Sequence, residues 1–447
     1  MVKVEGDASR ENVDSDSQFQ EQGTRVLEKY LLKKDRVPGL HKLDTPNGDI
    51  APNFRRLNGS PIYGCAQPAL EGIRYILNTL ASDGFTKVVW VNIREEAVIF
   101  VEGIPFTARP SSKLNENDMV PDITGNSIAV LEASLKDSLL EQLSRSESKL
   151  EYWHEPTLLC NELVTQLVDP KQVKTLHEVM ADIQHPGIES VIFQRATIER
   201  GNFPEHQIVD QLIEWISKAD LNTAVVFNCQ KGRCRTTTVM TLAYLIWSAP
   251  LQLSMSVSEQ PFAKLMQAAS MDSQTMDYKL GRYKVILALC DKLANGVRSK
   301  EWIDQAIDKN ALIYHIRHVI GDNRKKSLEE PQPADRAFYL HRACRVLERY
   351  FYFIVFGSYL LEAPSAGNTF TSWMLEHPDL CGVFDSLGGA ANTSSEVFEE
   401  LLSLTGKSKE IDQFHISVFK AVNGSKDGSE TLTARLILYH KVDKKVH

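Results

Sequence analysis

Apolar positions along the chain switch between helical and strand-like spacing. They recur every three or four residues over Leu70–Ala81, then run together as KVVWVN over Lys87–Asn92. That succession predicts an amphipathic helix feeding a strand. A hairpin is expected next, in AVIFVEGIPFTARP around Gly103. Ile128, Leu131, Leu135, Leu139 and Leu143 keep helical spacing, which predicts one long helix over Gly125–Glu151 with a single apolar stripe. Glu189–Phe193 (ESVIF) and Ala224–Asn228 (AVVFN) read as buried strands. Between them Pro204–Ala219 reads as a helix with Val209, Leu212 and Ile216 inward. Buried apolar runs separated by helices predict an α/β fold, a mostly parallel sheet flanked by helices on both faces.

Beyond about Trp302 the strand signal fades into helical patterning, in KNALIYHIRHVI and RAFYLHRACRVLERYFYFIVF. The Pro- and charge-rich stretch Asn323–Ala334 reads as a linker between them. Residues 1–22 read as a disordered polar tail, 23–300 as the α/β domain and 301–447 as a mainly helical C-terminal extension. Near the C-terminus, GSETLTARLILYHKV echoes GTRVLEKYLLKKD of residues 23–35. Two explanations stand side by side: the opening of a second repeat unit, or chance similarity of two short basic-apolar segments.

Composition narrows the functional classes. At 447 residues and 43% hydrophobic the chain can bury a substantial core. Fifty basic against 58 acidic residues leave a net charge of −8, so no global positive field exists to hold nucleic acid, and any anion site must be local. The longest apolar run, Tyr350–Leu361, is about twelve residues, against the ~20 that a bilayer crossing needs, and reads as a buried core helix. The N-terminus has acidic and polar residues where a signal peptide needs a basic start and an apolar stretch, so a cytoplasmic location is expected. Seven cysteines, an odd number spread thinly, do not make a disulfide scaffold. No CxxC or HExxH spacing occurs, so neither a metal site nor a cofactor is expected.

The sharpest chemical feature is AVVFN-CQKGRCR-TTTVMTLAYLIW, Ala224–Trp247: a strand, a loop from Cys229 to Arg235, then a helix. A loop entering a helix N-terminus points backbone N–H groups inward, and the helix dipole adds positive potential, so an anion is cradled there. Gly232 supplies backbone angles closed to other residues. Arg235 offers a planar fork to two phosphate oxygens. Cys229, at the bottom of the cradle, is favoured as thiolate, a nucleophile for a phosphate monoester that would give a cysteinyl-phosphate intermediate. The Thr236 hydroxyl is placed to bond the sulfur and help it leave. A C-x5-R spacing alone arises by chance, and most buried cysteines are small apolar fillers. The strand, glycine, threonine and helix around this one favour a phosphate loop, in which Gln230, Lys231, Gly232, Arg233 and Cys234 bind substrate.

CQKGRCRTTT resembles the active-site signature of cysteine-dependent phosphatases. The wider chain resembles the paladin family of phosphatase-domain proteins, related to the tyrosine-phosphatase-like inositol phosphatases (phytases). The matching segments are NFRRLNGSPIYGCAQPALEGIRYIL (Asn53–Leu77), VVWVNIREEAVIFVEGIPFTARP (Val88–Pro110) and RACRVLERYFYFIVFGSYLL followed by FTSWMLEHPDL. The resemblance implies a cysteine-phosphatase fold acting on phosphoinositides or inositol phosphates. Its partners would be a phosphorylated small molecule or a lipid head group reached by peripheral membrane contact. Three departures stand out. Asn228 replaces the usual His before the nucleophile, and Cys234 replaces Gly before the arginine. Cys234 either closes a protective disulfide with Cys229 or simply fills the space of the glycine. The general acid, normally an Asp after the Glu189–Phe193 strand, has no counterpart; Glu199 is the nearest carboxylate, with Glu205 and Asp210 further along. Arg195 and Arg200 read as phosphate ligands or as solvated charges, and Arg94, Glu95 and Glu96 as an ion-pair cluster or as part of the site. The extra cations Lys231 and Arg233 favour a substrate with several phosphates, if they do not merely face solvent. The competing readings are a pseudophosphatase that binds a phosphorylated ligand without turnover and a scaffold whose phosphatase-like half is structural.

Overall fold

The computed structural model describes residues 30–35, 37, 42–45, 47–110, 113–115, 125–157, 159–255, 279–362, 367–388 and 395–404. The expected tail 1–22 and the C-terminal half of the repeat echo lie outside the described residues. Contacts divide the chain into two compact units, residues 1–198 with 219–236, and 199–218 with 237–447.

In the first unit, strands β1 (Tyr30–Lys34), β2 (Arg55–Arg56) and β3 (Ile62–Cys65) precede helix α1 (Leu70–Ser82). Strand β4 (Lys87–Asn92) and the hairpin β5 (Val98–Val101) and β6 (Ile104–Pro110) follow, as the apolar spacing predicts. Then come α2 (Gly125–Arg145), β7 (Lys149–Thr157), β8 (Cys160–Leu167), β9 (Val173–Thr175), α3 (Leu176–Asp182) and β10 (Ser190–Arg195). Helix α4 (His206–Ser217) belongs to the second unit, and β11 (Thr223–Asn228) returns to the first. Helix α5 (Cys234–Ser254) begins in the first unit and continues into the second.

One sheet has the order β10-β4-β11-β3-β2, parallel throughout except for β2. The fold is thus the expected α/β one. Strands β4 and β11 are central because KVVWVN and TAVVFN are nearly unbroken apolar runs, as a strand covered on both faces requires. Their register pairs Asn228 with both Asn92 and Cys65, and Asn92 with Arg195. The polar residues that close four strands therefore stand in one row along the C-terminal edge, where open α/β sheets place ligands. Helix α1 covers a face through Ile73, Ile76, Leu77 and Leu80, packed with Tyr63, Val88, Trp90 and Val226. Strand β10 corrects an expectation: it lies at the edge, with Val191 and Phe193 against the core but Ile192 exposed, so it is not fully buried.

The second sheet, β8-β7-β1-β6-β5-β9, was not expected beyond its β5–β6 hairpin. The long helix α2 packs Ile128, Leu135, Leu139 and Leu143 onto this sheet, against Leu32, Ile99, Val101, Phe106 and Leu150. It stops at Arg145 rather than Glu151, because Glu147 and Ser148 adopt φ of 55° and 63° and turn the chain into β7. Within the apolar stripe sits one carboxylate, Glu132, which accepts from the Val98 N–H at 2.9 Å and from Arg195 at 2.8 Å.

The second unit is helical: α6 (Lys284–Lys292), α7 (Gly296–Lys309), α8 (Ile316–Glu329), α9 (Pro333–Leu361), α10 (Phe370–Glu376), α11 (Pro378–Gly388) and α12 (Ser395–Leu401). The stretch read as a linker, Asn323–Ala334, is mostly helix. Asn323 and Ser327 are buried on one face of α8 while Lys325 and Lys326 face solvent, so its charges are a solvated helix face. Pro333 takes the first position of α9, where its missing N–H costs nothing. Tyr350–Leu361 is buried, as expected, at the end of α9. Helix α7 approaches it so closely that a Cβ on Gly357 would stand 2.4 Å from the Ser299 hydroxyl. Among the described residues no helix is long and apolar enough to cross a membrane.

Glu132→Ala strands both the Arg195 guanidinium and the Val98 N–H, so a loss of about 3–5 kcal/mol is expected. Urea unfolding should show this as a lower midpoint at unchanged slope.

Candidate active site

Strand β11 ends on Asn228, and the chain then curls through Cys229–Arg233 into the first turn of α5. Gly232 sits at φ 62°, and a Cβ there would stand 2.3 Å from the Ala66 nitrogen and 2.4 Å from the Cys65 carbonyl carbon. Only glycine allows the loop to lie this close to the end of β3. The outer side of the loop is fastened through its carbonyls: Gln230 O accepts from Gln67 N at 3.1 Å, Lys231 O from Asn53 Nδ2 at 2.7 Å, and Gly232 O from Arg55 at 2.7 Å.

With its carbonyls fastened outward, the loop turns N–H groups toward Cys229, whose residue is only 3% exposed. Burial pushes its thiol pKa up. The Arg235 charge, the Thr236 hydroxyl and the backbone N–H groups of Thr236 and Arg233 more than offset this, and the net direction is down. The Thr236 hydroxyl lies 3.1 Å from both the Cys229 sulfur and the Cys229 N–H, so it donates to the first and accepts from the second. Cys65, at the end of the adjoining strand, shows the contrast: burial holds its thiol well above the ordinary value.

Arg235 is held from behind by carboxylates, 2.9 Å from Glu96 and 3.5 Å from Glu95, and it donates to the Ile198 carbonyl at 3.4 Å. Burial disfavours its charge, but Glu96, the Cys229 sulfur and Glu95 together raise its pKa above the ordinary guanidinium value. The other oxygen of Glu96 takes Arg94 at 3.2 Å, and Arg94 also pairs with Asp35 at 2.5 Å. Asp35 accepts in turn from Thr107 at 2.8 Å and from the Gln230 amide at 3.4 Å. The cluster Arg94–Glu95–Glu96 is therefore part of the site's framework.

Asn228 is bound on both sides: Trp90 Nε1 donates to its Oδ1 at 2.9 Å, and its Nδ2 donates to Gln67 Oε1 at 3.1 Å. Asn92 donates to the same Gln67 oxygen at 3.1 Å. This buried amide group fixes the strand end from which the loop departs. Arg195 is neither phosphate ligand nor solvated charge, since Glu132 and the Glu96 carbonyl hold it. Arg200 is exposed. Glu199 belongs to the second unit, where it accepts from the Asn202 amide, whose oxygen accepts from Arg345 at 2.7 Å. Glu205 is exposed at the N-cap of α4, and Asp210 accepts from the Phe370 and Thr371 N–H groups of α10. Cys229 and Cys234 form no disulfide. Sequence reasoning missed Arg55 and Gln67, which bond the loop from one side of its own sheet, Asn92, which supports Gln67, and Asp35, which meets Gln230 from the end of β1 in the other sheet.

Residues 91–247 match a PTP-like phytase family model whose description names inositol hexakisphosphate. Paladin of Gallus gallus is 29% identical over 394 residues, covering 85% of this chain and 42% of that protein. Paladin of Homo sapiens is 28% identical over 375 residues, covering 81% and 40%. The chain resembles the paladins. It spans about two fifths of the length of these paladins. A tandemly repeated protein tyrosine phosphatase-like phytase from Mitsuokella multacida aligns over 78% of this chain and 48% of its own, at 15% identity and a TM-score of 0.49. The phytase match includes Asn92, the Arg94–Glu96 cluster and the whole loop, but Arg55, Cys65 and Gln67 precede it. The parallel sheet, the Cys229 loop and this match together make the fold of a cysteine-type phosphatase.

Gly232→Ala combines a left-handed backbone, costing about 1–2 kcal/mol, with a clash against backbone. Calorimetric titration with inorganic phosphate should show at least tenfold weaker binding. Reactivity separates the two thiols: mass spectrometry of protein treated with iodoacetamide at graded pH should find Cys229 half-modified below the ordinary thiol pKa. Cys65 should stay unmodified until the protein is unfolded.

Proposed function

We propose that the chain is a metal-independent cysteine phosphatase hydrolysing phosphate monoesters of inositol, either soluble inositol phosphates or phosphoinositide head groups. The observation that carries this reading is Cys229, a buried thiol whose pKa nevertheless lies below its ordinary value, beside a protonated Arg235. In the first step the Cys229 thiolate attacks phosphorus along the axis of the ester bond. The S–P bond forms as the P–O bond breaks, and the departing alkoxide takes a proton from a carboxylic acid. Glu199, the first carboxylate after β10, is assigned that role. In the second step water attacks phosphorus, gives its proton to the same carboxylate, and the S–P bond breaks.

Thr236 stabilises the sulfur as it leaves, through the hydroxyl that already donates to it. Arg235 steadies the equatorial oxygens with its fork, its rear kept in place by Glu95 and Glu96. Backbone N–H groups of Gln230–Cys234 line the cradle, and Lys231 and Arg233 supply charge for further phosphates. The family description and the three loop cations support an inositol substrate. A thiolate nucleophile among seven cysteines, none in a disulfide, suits a reducing compartment, so we place the activity in the cytoplasm, with peripheral contact to any lipid substrate.

Phosphate release from a phosphoinositide panel, inositol hexakisphosphate, a phosphotyrosine peptide and para-nitrophenyl phosphate tests this reading under reducing conditions. Cys229→Ser should lower release at least 100-fold. Glu199→Gln should lower kcat for inositol esters about 100-fold while sparing para-nitrophenyl phosphate, whose leaving group needs little protonation. Binding of inositol hexakisphosphate without release from any compound would instead identify a pseudophosphatase.

A further inference from the structure

We infer that Arg55 is a second positioning cation for Cys229: it acts through the loop, fixing its curl and holding the sulfur in the thiolate form. The inference goes beyond the proposed function in assigning a role to a residue outside the Cys-x5-Arg segment. It rests on that reading only for its bearing on turnover.

Arg55 occupies the short antiparallel strand β2, where it pairs with Gly64, the residue before Cys65. It is 6% exposed, an unusual place for an arginine. One terminal nitrogen donates to the Asn53 carbonyl at 3.0 Å and to the Gly232 carbonyl at 2.7 Å. The second bond ties the charge to the centre of the loop. A carbonyl held outward by a guanidinium forces the peptide that contains it to turn its N–H toward the cradle. The contact is possible because Gly232 has no side chain and sits at φ 62°.

A buried guanidinium also needs negative charge to stay charged comfortably. Burial lowers the Arg55 pKa to about 10, and the charges of the Cys229 and Cys65 sulfurs partly offset this. Cys65 remains a thiol, since its own pKa is driven up. Cys229, whose thiol is shifted down instead, is the sulfur on which a negative charge facing Arg55 is favoured. Linkage makes the effect mutual: whatever the thiolate does to keep Arg55 protonated, Arg55 does to keep Cys229 deprotonated. Arg235 at the start of α5 acts most strongly on the sulfur, and Arg55 on β2 and Cys65 on β3 are each coupled to it by charge. Glu95 and Glu96 after β4 are neutralised by Arg235 and Arg94, and Lys231 and Arg233 lie in the loop itself. Two buried arginines thus act on one sulfur, Arg235 directly and Arg55 from the strand that holds the Gly232 carbonyl.

Two variants separate charge from hydrogen bonding. Arg55→Gln keeps a donor for the Gly232 carbonyl and removes the charge, whereas Arg55→Lys keeps the charge and loses the fork. The readout is the pH dependence of Cys229 alkylation by iodoacetamide in the full chain, followed by mass spectrometry of the Cys229 peptide. No substrate is needed. Arg55→Gln should raise the midpoint by about one pH unit, a tenfold smaller thiolate fraction on the acid side, while Arg55→Lys should move it by less than half as much. An unmoved midpoint in folded Arg55→Gln overturns the inference, and so do equal shifts in both variants, which would mark a merely structural residue. If Arg55→Gln does not fold, Arg55→Lys decides: a near wild-type midpoint upholds the inference and a rise of a full unit overturns it. The expected shifts in a chain that releases no phosphate from any substrate would sink the phosphatase reading and leave this one standing. Normal turnover with unmoved midpoints would do the reverse.

Discussion

Glu96 is the hinge of the structure's electrostatics. One of its carboxylate oxygens takes Arg235 and the other takes Arg94, all three side chains being buried. Two guanidiniums at such close quarters repel strongly in a poorly polarisable interior, and the intervening carboxylate turns that repulsion into a chain of alternating charge: Asp35, Arg94, Glu96, Arg235, Cys229. Each member is tolerable only because of its neighbours. The Cys229 sulfur is the last link, so the downward shift of its pKa depends on a charge network that begins in another sheet.

The amide cluster is the uncharged counterpart of that network. Gln67, Asn92, Asn228 and Trp90 satisfy one another where three parallel strands end. A histidine before the nucleophile would bring a titratable group to this spot. Asparagine brings only dipoles, and its two amide ends are both used. The position therefore carries no titratable charge, and the loop departs from a strand end that these hydrogen bonds fix.

What could be seen in the sequence follows the range of the interactions involved. The strand, loop and helix around Cys229 are contiguous, so spacing and residue type foretold their geometry, including the hydroxyl of Thr236 on the sulfur. The parallel sheet was legible because KVVWVN and TAVVFN are apolar on both faces. The second sheet was mostly hidden, because KLEYWHEPT and CNELVTQL lie largely at the surface and carry no clean alternation. Arg195 could be read only as a phosphate ligand or a solvated charge because its partner Glu132 sits 63 residues away inside an apolar stripe. Arg55, Gln67 and Asp35 were invisible for the same reason, since only the tertiary fold brings them to the loop. The charged stretch after Asn323 misled because a solvated helix face and a linker have the same composition.

The Gln230–Asp35 contact joins positions 195 residues apart. Asp35 lies just past the end of β1, so on the ribosome it emerges long before the loop that it will meet. Until the start of α5 is made, Asp35 has Arg94, Arg109 and Thr107 but not Gln230, and Glu96 has only Arg94 of its two arginines. Cys229 accordingly leaves the ribosome as an ordinary thiol, and its pKa falls only when the segments before and after it have closed around it. A nascent or partly unfolded chain thus carries a sulfur without the charge partners that lower its pKa.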